Sequence, residues 1–189
     1  MNAFWIALFF VFAAEMGDKT QLVALAFATR FKASIVLVGV FGATLLVHLF
    51  SVGVGEVMGA ALPVFWIEII AGVAFIAFGL WTLKGDKLDD DETKKPSRFG
   101  PLLTVATTFF IAELGDKTML MTITIASEQK SFLAVWLGST VGMVIADGLA
   151  IILGIVMGKR LPENLVKYGA AAVLIVSGIH TLYEAFAPG

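Results

Sequence analysis

Glu15-Met16-Gly17-Asp18-Lys19-Thr20 and Glu113-Leu114-Gly115-Asp116-Lys117-Thr118 are one phrase written twice, with five of six positions identical. Each copy lies deep inside an apolar run long enough to cross a membrane. The two copies therefore place four carboxylates and two ammonium groups where hydrocarbon is expected. Ionisable groups at that depth cost several kcal/mol each unless they face a partner or a hydrated path. Carrying that cost twice points to use, and the repeated phrase reads as one cation site in the middle of a transporter.

Working outward, the rest of the chain suits a membrane. It has 189 residues, 59% of them apolar, with a mean hydropathy of +0.93 and only 15% charged residues. Six apolar runs stand out, at 3–28, 35–61, 64–84, 99–127, 132–157 and 164–186. Each reaches the roughly 20 residues that a crossing helix needs, and none shows the alternation of a membrane barrel. The first run is expected to stay in the mature protein, because it lacks a basic leader and a small-residue cleavage site. Between the third and fourth runs lies Gly85–Arg98, charged and nearly free of apolar residues, which reads as a cytoplasmic linker. The expected domains are thus 1–84, a linker at 85–98, and 99–189.

The halves repeat beyond the motif. Glu15 pairs with Glu113 at an offset of 98. After the first loop the offset is 99, pairing Gly39 with Gly138, Gly55 with Gly154, Pro63 with Pro162, Gly79 with Gly178 and Thr82 with Thr181. Three spans per half is an odd number, so the second half is expected to enter the membrane from the opposite face. The expected fold is an all-α membrane protein of six helices in two inverted three-helix repeats, an architecture that places substrate sites near the midplane. Orientation follows from the basic residues outside the motifs. One set of loops holds Arg30, Lys32, Lys84, Lys87, Lys94, Lys95, Arg98, Lys159, Arg160 and Lys167, and the other holds only Lys130. Both termini are therefore expected outside. The glycine pairs Gly55/Gly59, Gly138/Gly142 and Gly154/Gly158 offer small faces for close helix approach, and Trp5, Trp66, Trp81 and Trp136 read as interfacial anchors.

On an unbroken helix Glu15, Asp18 and Lys19 share a face, while Thr20 turns about 140° away from Glu15. Glycine in the phrase permits interruption of the motif helices at Gly17 and Gly115. A break would turn Thr20 and nearby carbonyls toward the same place. Four carboxylates and two lysines sum to −2, which one divalent cation neutralises, and such oxygen donors suit Ca²⁺, Mg²⁺ or Mn²⁺. Crowded carboxylates also exchange metal for protons. The expected metal ligands are Glu15, Asp18, Thr20, Glu113, Asp116 and Thr118, with Lys19 and Lys117 as counter-charges that take the cation's place. The alternative for each motif alone is an i,i+4 Glu–Lys ion pair.

These residues carry a resemblance. The chain is similar to the transmembrane cation/proton antiporter family with paired E-x-G-D-[KR]-[ST] motifs. That family includes Golgi members linked to manganese supply, chloroplast members and bacterial MneA-type manganese exporters. Both motifs fit and the resemblance covers all six spans. It implies Ca²⁺ and Mn²⁺ as substrates and H⁺ as counter-ion. Its acidic positions map onto Glu15, Asp18, Glu113 and Asp116, and its hydroxyls onto Thr20 and Thr118. The short chain resembles a bacterial member, which implies the inner membrane.

Outside the motifs, Asp147 and its offset mate His48 sit mid-span as candidate proton relays or outer-shell groups. Gln21 is a further candidate ligand, with Met119 in its place in the other half. Glu56 reads as interfacial or as lining an exit path, and Glu68, His180 and Glu184 sit near span ends. No resident cofactor is expected; the transported Mn²⁺ or Ca²⁺ is the ligand. The expected partners are that metal ion, protons and the bilayer, without nucleic acid, and a homo-oligomer is left open. A cation/proton exporter is the first reading and a passive divalent-cation channel with a carboxylate ring is the alternative. An enzyme is not expected: cysteine is absent, as is any His-Glu-x-x-His pair. An organic-cation transporter is disfavoured because the motifs lack aromatic residues.

Overall fold

A computed structural model describes residues 2–84, 100–157 and 163–186. The expected linker at 85–98, together with Lys159, Arg160 and the glycine pair's Gly158, lies outside the described residues. The described residues form eight helices and hold no strand. They are α1 (Ala3–Glu15), α2 (Lys19–Ala28), α3 (Ala33–Ala61), α4 (Val64–Lys84), α5 (Gly100–Glu113), α6 (Lys117–Gln129), α7 (Phe132–Met157) and α8 (Glu163–Phe186). Among the described residues, four stretches are long and apolar enough to cross a membrane: Ala33–Ala61, Val64–Lys84, Phe132–Leu153 and Lys167–Phe186. The other two expected spans are each broken in two, at the motifs.

The ends of these helices follow local chemistry. Asn2 caps α1 by accepting from the Phe4 N–H at 3.2 Å. Pro63 stops α3 just after Ala61, since proline disfavours helix at the residue before it. Lys130 ends α6 in the left-handed conformation, φ 47°. Large apolar side chains face outward around the bundle, among them Phe50, Val57, Ile111, Leu133 and Val176. In water this surface would be an aggregation hazard; against lipid it is what a spanning bundle requires.

Close packing rests on the glycines. A methyl added at Gly138 or Gly142 of α7 would overlap the carbonyls of Phe4 and Leu8 in α1, and at Gly55 or Gly59 of α3 those of Ile123 and Ser127 in α6. The α4–α8 contact is built from two such approaches. Gly79 lies over the Ala171 carbonyl and Gly178 over the Gly72 carbonyl. The second contact is the first with each residue exchanged for its mate at an offset of 99. Helices α3 and α7 run antiparallel, as Leu37 beside Gly148 and Thr44 bonded to Met143 show. Trp136, expected at an interface, instead donates its indole N–H to the Leu45 carbonyl at 2.8 Å. The bond ties α7 to α3, and the half-buried ring packs against the core.

The interior divides into two clusters. One, toward the end of the bundle that carries the N-terminus and Phe186, joins Ala7, Val11, Phe75, Phe78, Met121, Ile125 and Leu174. The other, toward the end with Arg30, Lys32 and Lys84, joins Val23, Phe27, Val40, Val105, Phe109 and Ile151. We call these the terminal end and the basic end. Described residues of α4 and α8 enter only the first cluster.

Replacing Gly138 with alanine should cost about 1–3 kcal/mol, the usual penalty of overpacking against backbone. Gly42→Ala, where the added methyl meets nothing within 4 Å, should leave thermal unfolding in detergent nearly unchanged.

Candidate functional site

Each letter of the repeated phrase has a backbone task. Glu15 is the last residue of α1 and Glu113 the last of α5. The next residue caps the helix, with Met16 N–H on the Phe12 carbonyl and Leu114 N–H on that of Phe110. Gly17 and Gly115 then turn left-handed, at φ 79° and 80°, a conformation that costs other residues roughly 1–2 kcal/mol. Asp18 and Asp116 donate their N–H groups back to Glu15 and Glu113 and stand as N-caps of α2 and α6. Asp18 Oδ2 accepts from the Thr20 N–H at 3.3 Å. The break turns the threonines inward. Thr20 donates to Glu15, its hydroxyl also lying 2.9 Å from Asp18 Oδ2, and Thr118 donates to Glu113 Oε2 at 2.5 Å. The condition placed on Thr20 is met because the helix opens at glycine.

The residue four beyond each glycine closes the turn. Gly17 donates its N–H to Gln21 Oε1 at 2.8 Å, and Gly115 donates to Met119 Sδ at 3.2 Å. Gln21 also donates to the Ala146 carbonyl at 2.9 Å, tying the first motif to α7.

The two motifs meet. Lys117 of the second motif lies 2.5 Å from Asp18 of the first, both fully buried. Glu15 feels the charges of Asp18, Glu113 and Asp147, and Glu113 those of Asp116, Asp18 and Asp147. Glu15, Asp18, Thr20, Glu113, Asp116, Lys117, Thr118, His48 and Asp147 are all buried, whereas Lys19 is only half-buried. One oxygen of each glutamate, Glu15 Oε2 and Glu113 Oε1, has no hydrogen-bond partner among the described residues. No three acidic or histidine side chains among those residues already form a metal-binding cluster. Threonine hydroxyls and the Lys117 ammonium satisfy the facing oxygens instead.

One arrangement had no signal in the local sequence. Glu68 of α4, Glu128 of α6 and His180 and Glu184 of α8 line a cavity of about 800 Å³ at the terminal end. The cavity reaches inward to Phe10 and Phe75, whose rings lie 4.9 Å apart. His180 and Glu184 pair at 3.4 Å. These residues lie far apart in sequence at span ends, so only the packing of α4 and α8 against α6 gathers them. Glu56 does not line the cavity and is half-buried.

The family described as "Divalent cation/proton antiporter GDT1" matches residues 3–90 and again 101–189. The chain belongs to this family. A Vibrio cholerae protein named "Putative manganese exporter" is 30% identical over 185 residues, covering 97% of this chain and 92% of its own. The Synechocystis GDT1-like protein sll0615 is 28% identical, covering 88% and 89%. The chloroplast protein PAM71 of Arabidopsis thaliana is 30% identical, and the match covers 97% of this chain but 57% of that one. No solved structure matches the chain. The family is one of transporters, not enzymes, and this member is a membrane protein of apolar helices.

Glu128 lies just beyond the fourth expected span. Burial, then the charges of Glu68 and Glu184, push its carboxyl up to about 7 from an ordinary 4.5. The folded chain therefore holds this proton more tightly than the unfolded chain and loses stability as pH rises from about 4.5 to about 7. Glu128→Gln should be more heat-stable than the wild type at pH 8 and close to it at pH 4.5, as thermal unfolding in detergent will read.

Proposed function

We propose that this GDT1-family chain exports a divalent cation, Mn²⁺ and/or Ca²⁺, in exchange for protons across a bacterial inner membrane. The observation that carries the proposal is the joining of the motifs across the chain's midpoint, with Lys117 on Asp18. Glu15, Asp18, Glu113 and Asp116 supply the carboxylates, and Thr20 and Thr118 the hydroxyls. Metal reaching Asp18 displaces Lys117, and protons arriving from the other side release the metal. The Vibrio relative's name speaks for manganese, and the family description for a divalent cation exchanged with protons.

In this reading α1 with α2 forms one broken span and α5 with α6 another, giving six crossings in two inverted repeats. The exchanged glycine contacts of α4 and α8 support it, as does the Thr44–Met143 bond between residues 99 apart. The basic end faces the cytoplasm, on the count of lysines and arginines, and the termini face outward.

Access alternates by movement of the α4–α8 pair. Phe75 and Leu174, mates at an offset of 99, both pack into the terminal-end cluster. At the other end Lys167 of α8 lies against Gly17, whereas an added methyl at Gly115 would touch nothing. The pair is displaced toward the terminal end. Exchanging the repeats moves it toward the basic end and replaces the Phe10–Phe75 contact with Thr108–Leu174. The chain has no cysteine, so paired cysteines can be introduced without background. A 10/75 pair should crosslink with a short bifunctional reagent in one condition and a 108/174 pair in another, with added Mn²⁺ shifting the ratio. A ratio indifferent to Mn²⁺ and pH would rule out this movement.

Purified protein in vesicles should accumulate Mn²⁺ against its gradient when a pH gradient is imposed, which a passive channel does not do. Asp116→Asn should abolish uptake while elution and unfolding in detergent stay as in wild type. Wild-type uptake by that variant would remove Asp116 from the site.

A further inference from the structure

Asp147 is wholly buried on α7, and both its carboxylate oxygens lack a hydrogen-bond partner among the described residues. In hydrocarbon such a group is costly, and a purely structural role would show a donor. Capping is no explanation, because α7 runs unbroken from Phe132 to Met157. Nor is its position incidental. Gln21 bridges Gly17 of the first motif to the carbonyl of Ala146, the residue before Asp147. Asp147 lies near enough to Asp18, Glu15 and Glu113 for their charges to interact with its own.

We propose that Asp147 is a fifth carboxylate ligand of the transported divalent cation, contacting it together with Asp18. The proposal rests on the cation site described above and extends it to a helix outside both motifs. A divalent ion supplies what two unpartnered oxygens in a low-dielectric interior lack, and carboxylate oxygens are the donors that hard cations take.

The repeat makes the assignment sharper. Thr44 and Met143, bonded at 3.3 Å, mark where α3 and α7 cross. His48 and Asp147 lie one turn beyond that point on antiparallel helices, so His48 falls toward the terminal end and Asp147 toward the basic end. His48 is equally buried, with neither ring nitrogen hydrogen-bonded among the described residues. The site therefore has a carboxylate at one pole and an imidazole at the other. Asp147 serves the pole shared with the first motif.

Metal-dependent thermal unfolding of the full chain in detergent tests this directly. Mn²⁺ titrated into wild type should raise the unfolding temperature. Asp147→Asn, which keeps the size of the side chain, should fold with metal-free stability close to that of wild type. Its Mn²⁺ midpoint should weaken by roughly tenfold or more, about 1.4 kcal/mol per decade, and the KM for Mn²⁺ uptake should rise in parallel. Asp147→Glu keeps the carboxylate and should stay closer to wild type than Asp147→Asn; it serves if the asparagine variant does not fold, and a midpoint weakened tenfold or more in it would then overturn the role. An Asp147→Asn chain with a wild-type midpoint overturns the assignment, and so does one whose metal-free stability falls while its midpoint holds. Asp116→Asn separates the two readings. If that variant loses the Mn²⁺ response and Asp147→Asn keeps it, the cation site stands without Asp147. If wild type shows no response to Mn²⁺ or Ca²⁺, the cation site and this ligand fall together.

Discussion

An ammonium group from one half of the chain rests on a carboxylate from the other, deep inside a bundle whose outer surface is apolar. The Lys117–Asp18 pair, 2.5 Å apart and shielded from solvent, is the contact around which the interior is arranged. Neither charge is tolerable there alone, since breaking a buried pair by removing one partner costs about 3–5 kcal/mol. Both motif turns must therefore be presented at the same depth. That requirement explains the two helix breaks, the left-handed glycines and the close helix approaches through Gly55, Gly59, Gly138 and Gly142.

The breaks have an electrostatic meaning as well as a geometric one. Where a helix stops, its last carbonyls carry partial negative charge, and where the next begins, its first N–H groups carry positive charge. Asp18 and Asp116 stand at the positive starts of α2 and α6. Glu15 and Glu113 stand at the negative ends of α1 and α5, each accepting a hydroxyl from Thr20 or Thr118. Thus the two acidic positions of one motif are held in opposite fields. A cation drawn between them meets negative helix ends together with carboxylates, a combination that broken-helix transporters use for ion binding.

Much of this was legible in the sequence, and the reasons are physical. Span limits could be read because lipid demands long apolar runs: the third run begins at Val64 both in the reading and in α4. Part of the motif could be read because it repeats: glycine permits the break, and the break turns the threonine hydroxyl inward. Wheel geometry failed to place Thr20 because it presumes a continuous helix, which Gly17 interrupts. The cavity bordered by Glu68, Glu128 and Glu184 was invisible, since residues 68, 128 and 184 are joined only by tertiary packing.

Where the halves differ is as informative as where they agree. The Gly17 N–H is met by the oxygen of Gln21 and the Gly115 N–H by the sulfur of Met119. Both close the same turn, so the backbone asks only for an acceptor of the right reach. Gln21 adds a donor that holds α7 through Ala146, and thioether sulfur has no hydrogen with which to copy it. Likewise a carboxylate at 147 answers an imidazole at 48. In the proposed exchange, a pathway alike in backbone but not in side chains would present different chemistry at its two ends. Substrate arriving from the basic end would meet oxygen donors, and from the terminal end imidazole and a softer contact. If the repeated backbone gives the proposed pair of opposed conformations, divergence of these few side chains is what would give transport a preferred direction of loading.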